Sequence, residues 1–232
     1  MLKSILLGTF ILISVLLCSA EETNKTPIIR QDFENADFFA AVSSVGYTRR
    51  DPQVGQWGLF KDDKIVSISE EQAASGKYSL KYTAAEKSPY FAVGVFPEPI
   101  NGHLELEFWV NRQEGFNFIV GLVTRKEGKN NRLLSCGTFD KNHQFAYLGN
   151  DLKWQRSGIK CPADEWVKLK FTLNHKENVC SYYVFLDDSL EKIGEVKFAD
   201  SLGEVMFFEL RPNASSPGSA VYLDDFTAFK TN

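Results

Sequence analysis

The chain has 232 residues, a formal net charge of −4 and an aromatic content of 13%, in which 19 phenylalanines dominate. This mild acidity argues against a nucleic-acid partner, which requires a basic patch or stripe. The length fits one large β-domain. The phenylalanines are numerous enough to fill the layer between two packed sheets.

A secretory signal peptide is predicted at residues 1–20. Lys3 supplies the positive end, an apolar stretch follows, and small residues precede a predicted cleavage ahead of Glu21. The alternative is a lipid anchor at Cys18, although the bulky Leu17 stands where lipoprotein processing prefers a small residue. The apolar stretch is too short for a comfortable membrane span, and no other segment is long and apolar enough. We expect a secreted, periplasmic or cell-surface protein.

After a polar leader at residues 21–27, alternating hydrophobicity predicts a single β-domain over residues 28–232. Residues 104–110 form the clearest one-sided strand. About 11 to 13 short strands at regular spacing indicate an all-β sandwich or barrel, with helix candidates only near 35–42 and 70–74. The predicted strands are 28–33, 65–69, 78–82, 90–96, 104–110, 116–124, 133–139, 144–148, 166–173, 179–186, 193–198, 205–210 and 221–229.

Two adjacent carboxylates interrupt the alternating segment 221–229. Because neighbouring strand residues point to opposite faces, one of Asp224 and Asp225 must face inward or into the sheet edge. A buried carboxylate is costly unless it is paired, hydrogen-bonded or bound to a metal. Two interpretations follow: the pair helps to hold a structural cation, or it caps a turn and accepts hydrogen bonds from backbone amides.

Three cysteines remain after the signal peptide, and their odd number leaves at least one free thiol. They are Cys136, Cys161 and Cys180, and their spacing fits no zinc site. Cys161 and Cys180 flank the predicted strand 166–173, which makes them the expected disulfide pair. The alternative is that the cysteines are buried core thiols.

The candidate ligand-binding residues combine aromatic faces with polar groups, as sugar sites do. Trp154 stands between Lys153 and Gln155, which favours an exposed ring, although a lid over the hydrophobic layer fits equally well. Arg125 and Arg211 end predicted strands, where binding loops lie, and either would also fit a simple ion pair. The candidate set is Trp154, Tyr147, Arg156, Trp109, Arg125 and Arg211.

Five short motifs, taken in their order along the chain, resemble the β-jelly-roll carbohydrate-binding modules with a galactose-binding-like or concanavalin A-like (laminin-G-like) sandwich. The resemblance spans most of the chain after the signal peptide. It implies a two-sheet antiparallel sandwich that binds a polysaccharide or another glycan without catalysis. The motifs are Asp32-Phe33-Glu34, Ser75-Gly76-Lys77-Tyr78-Ser79-Leu80-Lys81-Tyr82, Glu105-Leu106-Glu107-Phe108-Trp109-Val110, Asp164-Glu165-Trp166-Val167-Lys168-Leu169 and Val221-Tyr222-Leu223-Asp224-Asp225-Phe226.

The resemblance also implies a structural calcium ion that ties the first strand to the last. It places Glu34 and Asp225 or Asp224 around the ion, with backbone carbonyls near Ser75 and Lys77 as further ligands. Calcium takes six to eight oxygens, and carboxylates and carbonyls are its usual ligands in proteins.

Catalysis is not favoured by the residues. Glu105 and Glu107 share one strand face and superficially suggest a glycosidase pair, yet the Glu-x-Asp-x-x-Glu pattern of the concanavalin-like glucanases is missing. There is no serine nucleophile elbow and no phosphate-binding glycine loop. The alternatives to a binding module are an unrecognised polysaccharide lyase or glycosidase of concanavalin-like fold, and a cell-surface adhesion or structural domain.

Overall fold

The computed structural model describes residues 25–34, 57–58, 65–85, 92–127, 129–139 and 141–231. These ranges contain fifteen strands, and none of their residues lies in a helix. The strands are β1 (Lys25–Gln31), β2 (Trp57–Gly58), β3 (Val66–Ser69), β4 (Ser79–Thr83), β5 (Ala92–Ile100), β6 (His103–Arg112), β7 (Phe118–Lys126), β8 (Lys129–Phe139), β9 (Gln144–Leu148), β10 (Trp154–Lys160), β11 (Trp166–Asn174), β12 (Val179–Leu186), β13 (Ser189–Lys197), β14 (Glu204–Pro212) and β15 (Ala220–Thr231).

The strands form two sheets in which each pairing is antiparallel. The eight-stranded sheet runs β13-β12-β11-β6-β15-β4-β3, and β1 also pairs with β15. The seven-stranded sheet runs β10-β9-β8-β7-β14-β5-β2. The predicted all-β, two-sheet sandwich is confirmed.

The strand count differs from the expected 11 to 13 because β2 and β10 were not predicted. β10 occupies a segment that we expected to be loop. Its residues are mostly exposed, Gly158 has a φ of +82°, and the pairing with β9 shifts between Arg156 and Lys160. An exposed, irregular strand of this kind has no apolar alternation to reveal it.

Two further expectations need correction. Residues 70–74 form bends and not a helix, and the other helix candidate, 35–42, lies outside the described residues. β1 begins at Lys25, inside the predicted polar leader, so the folded part starts before residue 28. Lys25 is held there by an ion pair of 2.5 Å with Glu105, which a search for apolar residues does not detect.

The core lies between the two sheets and is rich in phenylalanine, as the composition indicated. In β6, buried apolar residues alternate with half-buried polar ones, so this strand turns one face inward. The ring of Phe108 meets that of Phe208 from the opposite sheet at a centroid distance of 5.2 Å, and Phe226 lies 4.8 Å from Phe208. Both contacts have the edge-to-face geometry that aromatic rings prefer.

β15 lies inside the eight-stranded sheet and has two partners on one of its edges. Residues 220–223 pair with β4, whereas residues 226–231 pair with β1. β6 runs along the other edge. The change of partner falls at Asp224 and Asp225, and Asp225 has a φ of +46°, which interrupts the regular strand.

All three described cysteines are free and buried, so the predicted Cys161–Cys180 disulfide is wrong in this structure. Burial raises the pKa of Cys161 and of Cys180 to about 12 and lifts that of Cys136 well above its ordinary value. The three side chains belong to the apolar core, which is the alternative that the sequence left open. Such thiols are poor nucleophiles, because the thiolate is the reactive form.

Residues 1–24, with the predicted signal peptide and Cys18, lie outside the described part of the chain. Within the part that is described, no helix has the length and apolar character needed to cross a membrane.

Candidate functional site

The outer face of the seven-stranded sheet brings together most of the predicted binding residues. Phe208 and Leu210 of β14 are buried in the core, so Glu209 and Arg211 between and beyond them point to the opposite face. Directly paired residues of an antiparallel sheet share a face. The register therefore places one row of side chains across five strands: Arg211, Ile119, Gly137, Ala146 and Arg156.

A second row runs beside the first and consists of Glu209, Gly121 and Ser135. Apart from Ile119, the middle of both rows carries small side chains, whereas long ones stand at the sides. We call this arrangement the recess. Its floor is Gly121, Ser135, Gly137 and Ala146, all of them buried, one side is Glu209 and Arg211, and the other side is Trp154 and Arg156.

Strand packing explains why the floor is so low at Gly137. A Cβ atom at this position would lie 2.1 Å from the carbonyl oxygen of Phe118, far inside any allowed contact. At Gly121 a Cβ would lie 2.5 Å from Ser135 Oγ. Close approach of β7 and β8 therefore keeps side chains out of the floor.

Charged groups lie at the Glu209 side of the recess with incomplete hydrogen bonding. Glu209 is 8% exposed, and its Oε1 lies 3.5 Å from Arg211 Nε, without the geometry of a hydrogen bond. Burial raises the pKa of Glu209 above its ordinary value, and the positive charge of Arg211 opposes the shift. The buried atoms without a hydrogen-bond partner on this face are Glu209 Oε1, Arg211 Nε, Arg125 Nε and Ser135 Oγ.

Arg125 belongs to the same face. It ends β7, where its Cα partner is Glu204, and its guanidinium carbon lies 5.9 Å from the centroid of the Phe207 ring. Phe207 precedes the core residue Phe208 and therefore points outward, like Glu209 two residues further on. The cation–π contact fixes the position of the guanidinium without using its N–H groups.

Trp154 and Arg156 stand on β10, on the opposite side of the recess from Arg211. Trp154 is half-buried, and its ring lies 4.2 Å from that of Phe139, centroid to centroid. Arg156 is exposed. The Trp154 ring is thus neither fully open nor a core residue.

The structure separates the other two predicted binding residues from this face. The Tyr147 ring packs at 6.1 Å on Tyr182 of the opposite sheet, and its hydroxyl donates to Gln155 Oε1 at 2.9 Å, so it closes one side of the sandwich. Trp109 lies on the outer face of the eight-stranded sheet, beside a cavity of about 500 Å³ that Glu107 and Lys168 also line. The six predicted residues therefore do not all lie on one face.

Glu209 and Ser135 were not predicted. The sequence does contain a signal for Glu209, which stands between Phe208 and Leu210 in a predicted strand. Because those two apolar residues face the core, Glu209 must face the opposite way. The Glu105–Glu107 pair lies elsewhere, on the eight-stranded sheet: burial would raise the pKa of Glu105, but Lys170 and Lys25 hold it below its ordinary value.

The predicted metal-binding residues Glu34, Asp224 and Asp225 converge on one loop. Asp224 is 0% exposed; its Oδ2 accepts the N–H groups of Ala74 at 2.8 Å and Ser75 at 3.2 Å, and its Oδ1 accepts that of Asp225 at 2.7 Å. The Ser75 hydroxyl donates to Asp225 Oδ1 at 2.9 Å. The expected inward-facing carboxylate is Asp224.

Glu34 fastens the same loop from the end of β1. Its Oε1 accepts the N–H groups of Lys77 at 2.7 Å and Tyr78 at 2.8 Å. The three carboxylates thus join the first strand, the loop and the last strand by hydrogen bonds, which is one of the two interpretations of the Asp pair.

This arrangement does not fit a calcium site as it stands. Among the residues that the structure describes, no three His, Cys, Asp or Glu side chains are placed to hold a metal ion. Oxygens that accept N–H groups are turned towards positive hydrogens, whereas a cation requires several oxygens turned towards one point. Calcium binding stays a prediction.

No protein-family model and no curated protein matches the chain. Solved structures share its fold. A sialidase superimposes with a TM-score of 0.56 at 9% identity over 76% of this chain, which spans only 17% of that protein. The Cellulose induced protein Cip1 gives 0.54 at 16% identity over 86% of this chain and 96% of that one. A legume lectin-like domain from Entamoeba histolytica gives 0.50 at 9% identity over 73% and 91%. These likenesses confirm the expected jelly-roll, concanavalin-like sandwich.

Proposed function

We propose that the protein is a non-catalytic glycan-binding module that holds a polysaccharide segment in the recess. The observation that carries this proposal is that Trp154 and Arg156 of β10 share one sheet face with Arg211 of β14, with mostly small, buried residues between them and buried polar atoms left unpaired. Four of the six residues selected for sugar binding, with Arg125 the fourth, share this face.

The unpaired atoms support a ligand rich in hydroxyl groups. A buried donor or acceptor without a partner costs about 1–3 kcal/mol. Ser135 Oγ and Glu209 Oε1 can accept hydrogen bonds, and Arg211 Nε donates one. A sugar hydroxyl both donates and accepts, so one sugar unit would satisfy groups of both kinds once the side chains that cover these buried atoms move aside. The ring of Trp154 adds an apolar surface for the face of a sugar.

The shared fold supports the same function by analogy. A lectin-like domain and a protein induced by cellulose have the same architecture. Fold alone does not imply function, so the residues of the recess carry the argument.

The carboxylate content of the recess favours binding over hydrolysis. Glycosidases use two carboxylates, about 5–10 Å apart, on either side of the scissile bond. Among the described residues that define the recess, Glu209 is the one with a carboxylate. A polysaccharide-degrading enzyme is the second candidate, because a buried carboxyl group with a raised pKa is typical of catalytic acids.

The test is a glycan array with the purified protein, with and without calcium. We expect selective binding that falls at least about tenfold in Trp154→Ala and in Arg156→Ala, since stacking and a charged hydrogen bond each contribute about 1–3 kcal/mol. Lys230→Ala, an exposed cation on β15, is the matched control and should bind normally. Circular dichroism checks that each variant is folded. Absence of binding to every glycan in both conditions would overturn the proposal.

We further propose that the module works outside the cytoplasm, as the predicted signal peptide implies. Mass spectrometry of the protein from its own cells should give a chain that begins at Glu21. A mass that includes residues 1–20 contradicts this, and an added lipid on Cys18 identifies the anchored alternative.

A further inference from the structure

The guanidinium groups of Arg125 and Arg211 present the most unusual chemistry on the face that carries the recess. Each has a buried Nε without a hydrogen-bond partner. Buried arginine nitrogens are normally paired, because leaving such a donor desolvated and unpaired is costly. Both side chains project from the same face, where Arg211 lies beside Glu209 and Arg125 lies over Phe207.

Contacts within the protein leave part of the hydrogen-bonding capacity of these two arginines unused. Arg211 meets Glu209 at 3.5 Å, without hydrogen-bond geometry, although its side chain is only 38% exposed. Arg125 lies over the ring of Phe207. This contact positions the guanidinium, but the ring accepts no hydrogen bond from the N–H groups in the guanidinium plane. Arg156 stands across the floor on the same face, and Glu204 is the directly paired residue of Arg125.

We propose that this face selects an acidic glycan and that Arg125 and Arg211 each bind one of its anionic groups, a carboxylate or a sulfate ester. This inference rests on the proposed glycan-binding function and narrows its ligand. The planar guanidinium donates two parallel N–H groups to a carboxylate or sulfate, a geometry that neither hydroxyl groups nor a lysine ammonium reproduces.

Selectivity for an acidic glycan depends on local contacts and not on the charge of the whole chain. The net charge is −4, so the protein does not attract polyanions at long range. At an ionic strength of about 0.15 M, charges more than about 8 Å apart are largely screened. Binding of an acidic polymer at that salt concentration therefore reports on direct contacts.

The experiment compares matched pairs of polymers in physiological salt: polygalacturonate against its methyl ester, and dextran sulfate against dextran. We expect at least one acidic polymer to bind ten times or more tightly than its neutral counterpart. A preference for polygalacturonate identifies a carboxylate as the bound group, and a preference for dextran sulfate identifies a sulfate ester.

Arg125→Gln and Arg211→Gln should each abolish the preference, whereas Lys230→Gln should keep it. Arg211→Lys preserves the charge and is expected to lose most of the preference, because it removes the paired donors; it also serves if the glutamine variants fail to fold. Equal binding of acidic and neutral polymers overturns the inference and leaves the glycan-binding function intact. An acidic preference that all variants, including Lys230→Gln, weaken equally reveals non-specific attraction and also overturns it. No binding to any glycan overturns both.

Discussion

Asp224 shows how one buried carboxylate is accommodated without a charged partner. Three backbone N–H groups point at its two oxygens. Burial is nevertheless the larger influence and, together with the nearby charge of Asp225, raises the pKa of Asp224 to about 6, against the opposing effect of those N–H groups. The ordinary value is 3.8, so the folded protein holds a proton on this group more tightly than the unfolded chain does.

A pH dependence of stability follows from this shift. A raised folded pKa stabilises the protein fully below about pH 4, and the contribution is lost as the pH rises through about 6. In metal-free buffer the free energy of unfolding should therefore fall by up to about 3 kcal/mol across this window. Urea titrations of wild type and Asp224→Asn measure the effect as the difference between their pH profiles. Asp188→Asn, at an exposed aspartate between β12 and β13, is the matched control, and a wild-type profile parallel to that of Asp224→Asn contradicts the prediction.

The junction between β1, the loop and β15 is the element that a calcium ion would tighten. Glu34 and Asp225 lie at its exposed side, and both are hydrogen-bonded to the loop in the described arrangement. Binding of calcium requires these carboxylates to turn from N–H and O–H donors towards the ion.

If calcium binds there, it raises the melting temperature at neutral pH. A ligand at 100 times its Kd adds about 2.7 kcal/mol, which corresponds to a rise of roughly 5–10 °C for a chain of this size. Differential scanning calorimetry in calcium, magnesium and EDTA tests this. Glu34→Gln should abolish the response and Glu105→Gln should keep it. Identical melting in calcium and EDTA would leave hydrogen bonding alone to hold the junction.

The pairing of β7 with β8 depends on Gly137. Gly137→Ala would press a methyl group against the backbone of Phe118, which cannot move independently of its strand. We expect a loss of at least about 2 kcal/mol in the free energy of unfolding, in the range of overpacked sites. Gly218 is the control: its φ is +85° but nothing lies within 4 Å of an added Cβ, so Gly218→Ala should cost only about 1 kcal/mol. Chemical denaturation measures both, and equal losses would contradict a steric origin.

Strand type decided which elements could be predicted from the sequence. β6 was predicted closely, because one buried face imposes strict alternation on its residues. β10 was missed because nearly all of its residues meet solvent and Gly158 breaks its register. A strand that is buried on one face shows apolar alternation in its sequence, whereas an exposed edge strand held mainly by backbone hydrogen bonds does not.

The sequence identified candidate residue types for a binding site but not their positions relative to one another. Arginine and tryptophan residues were selected as candidates for binding, and that role stays a prediction. Which of them meet depends on the register across β14, β7, β8, β9 and β10, and that register follows from pairings between distant parts of the chain. Alternation alone could not distinguish the face that carries Arg211 from the face that carries Trp109.

At the scale of the whole molecule, the two outer faces differ in how completely their charges are paired. The eight-stranded sheet carries a ladder of ion pairs, in which Lys168 meets Glu107 at 2.5 Å and Lys170 meets Glu105 at 2.7 Å. On the other sheet, Arg211 and Glu209 approach only to 3.5 Å, and a buried atom of each lacks a hydrogen-bond partner. Among the described residues, the buried charged atoms without a hydrogen-bond partner all lie on this seven-stranded sheet.

This asymmetry predicts that the two tryptophans behave differently. Trp109→Ala should leave glycan affinity unchanged within about twofold, because its ring lies on the side with paired charges. Trp154→Ala should reduce the affinity at least about tenfold. Isothermal titration with a glycan identified on the array compares the two variants directly. The opposite result would move the binding site to the eight-stranded sheet.

The position of β15 also has a consequence for synthesis. This strand comes after all other described strands in the chain, yet it lies between β6 on one edge and β4 with β1 on the other. While a ribosome is still making residues 220–231, β6 and β4 have no strand between them to pair with. Closure of that sheet must wait until translation has passed this point, and it joins segments about 200 residues apart, which is typical of slow folding. The eight-stranded sheet therefore stays open between β6 and β4 throughout most of synthesis, and its unpaired apolar strands are prone to aggregation until β15 is made.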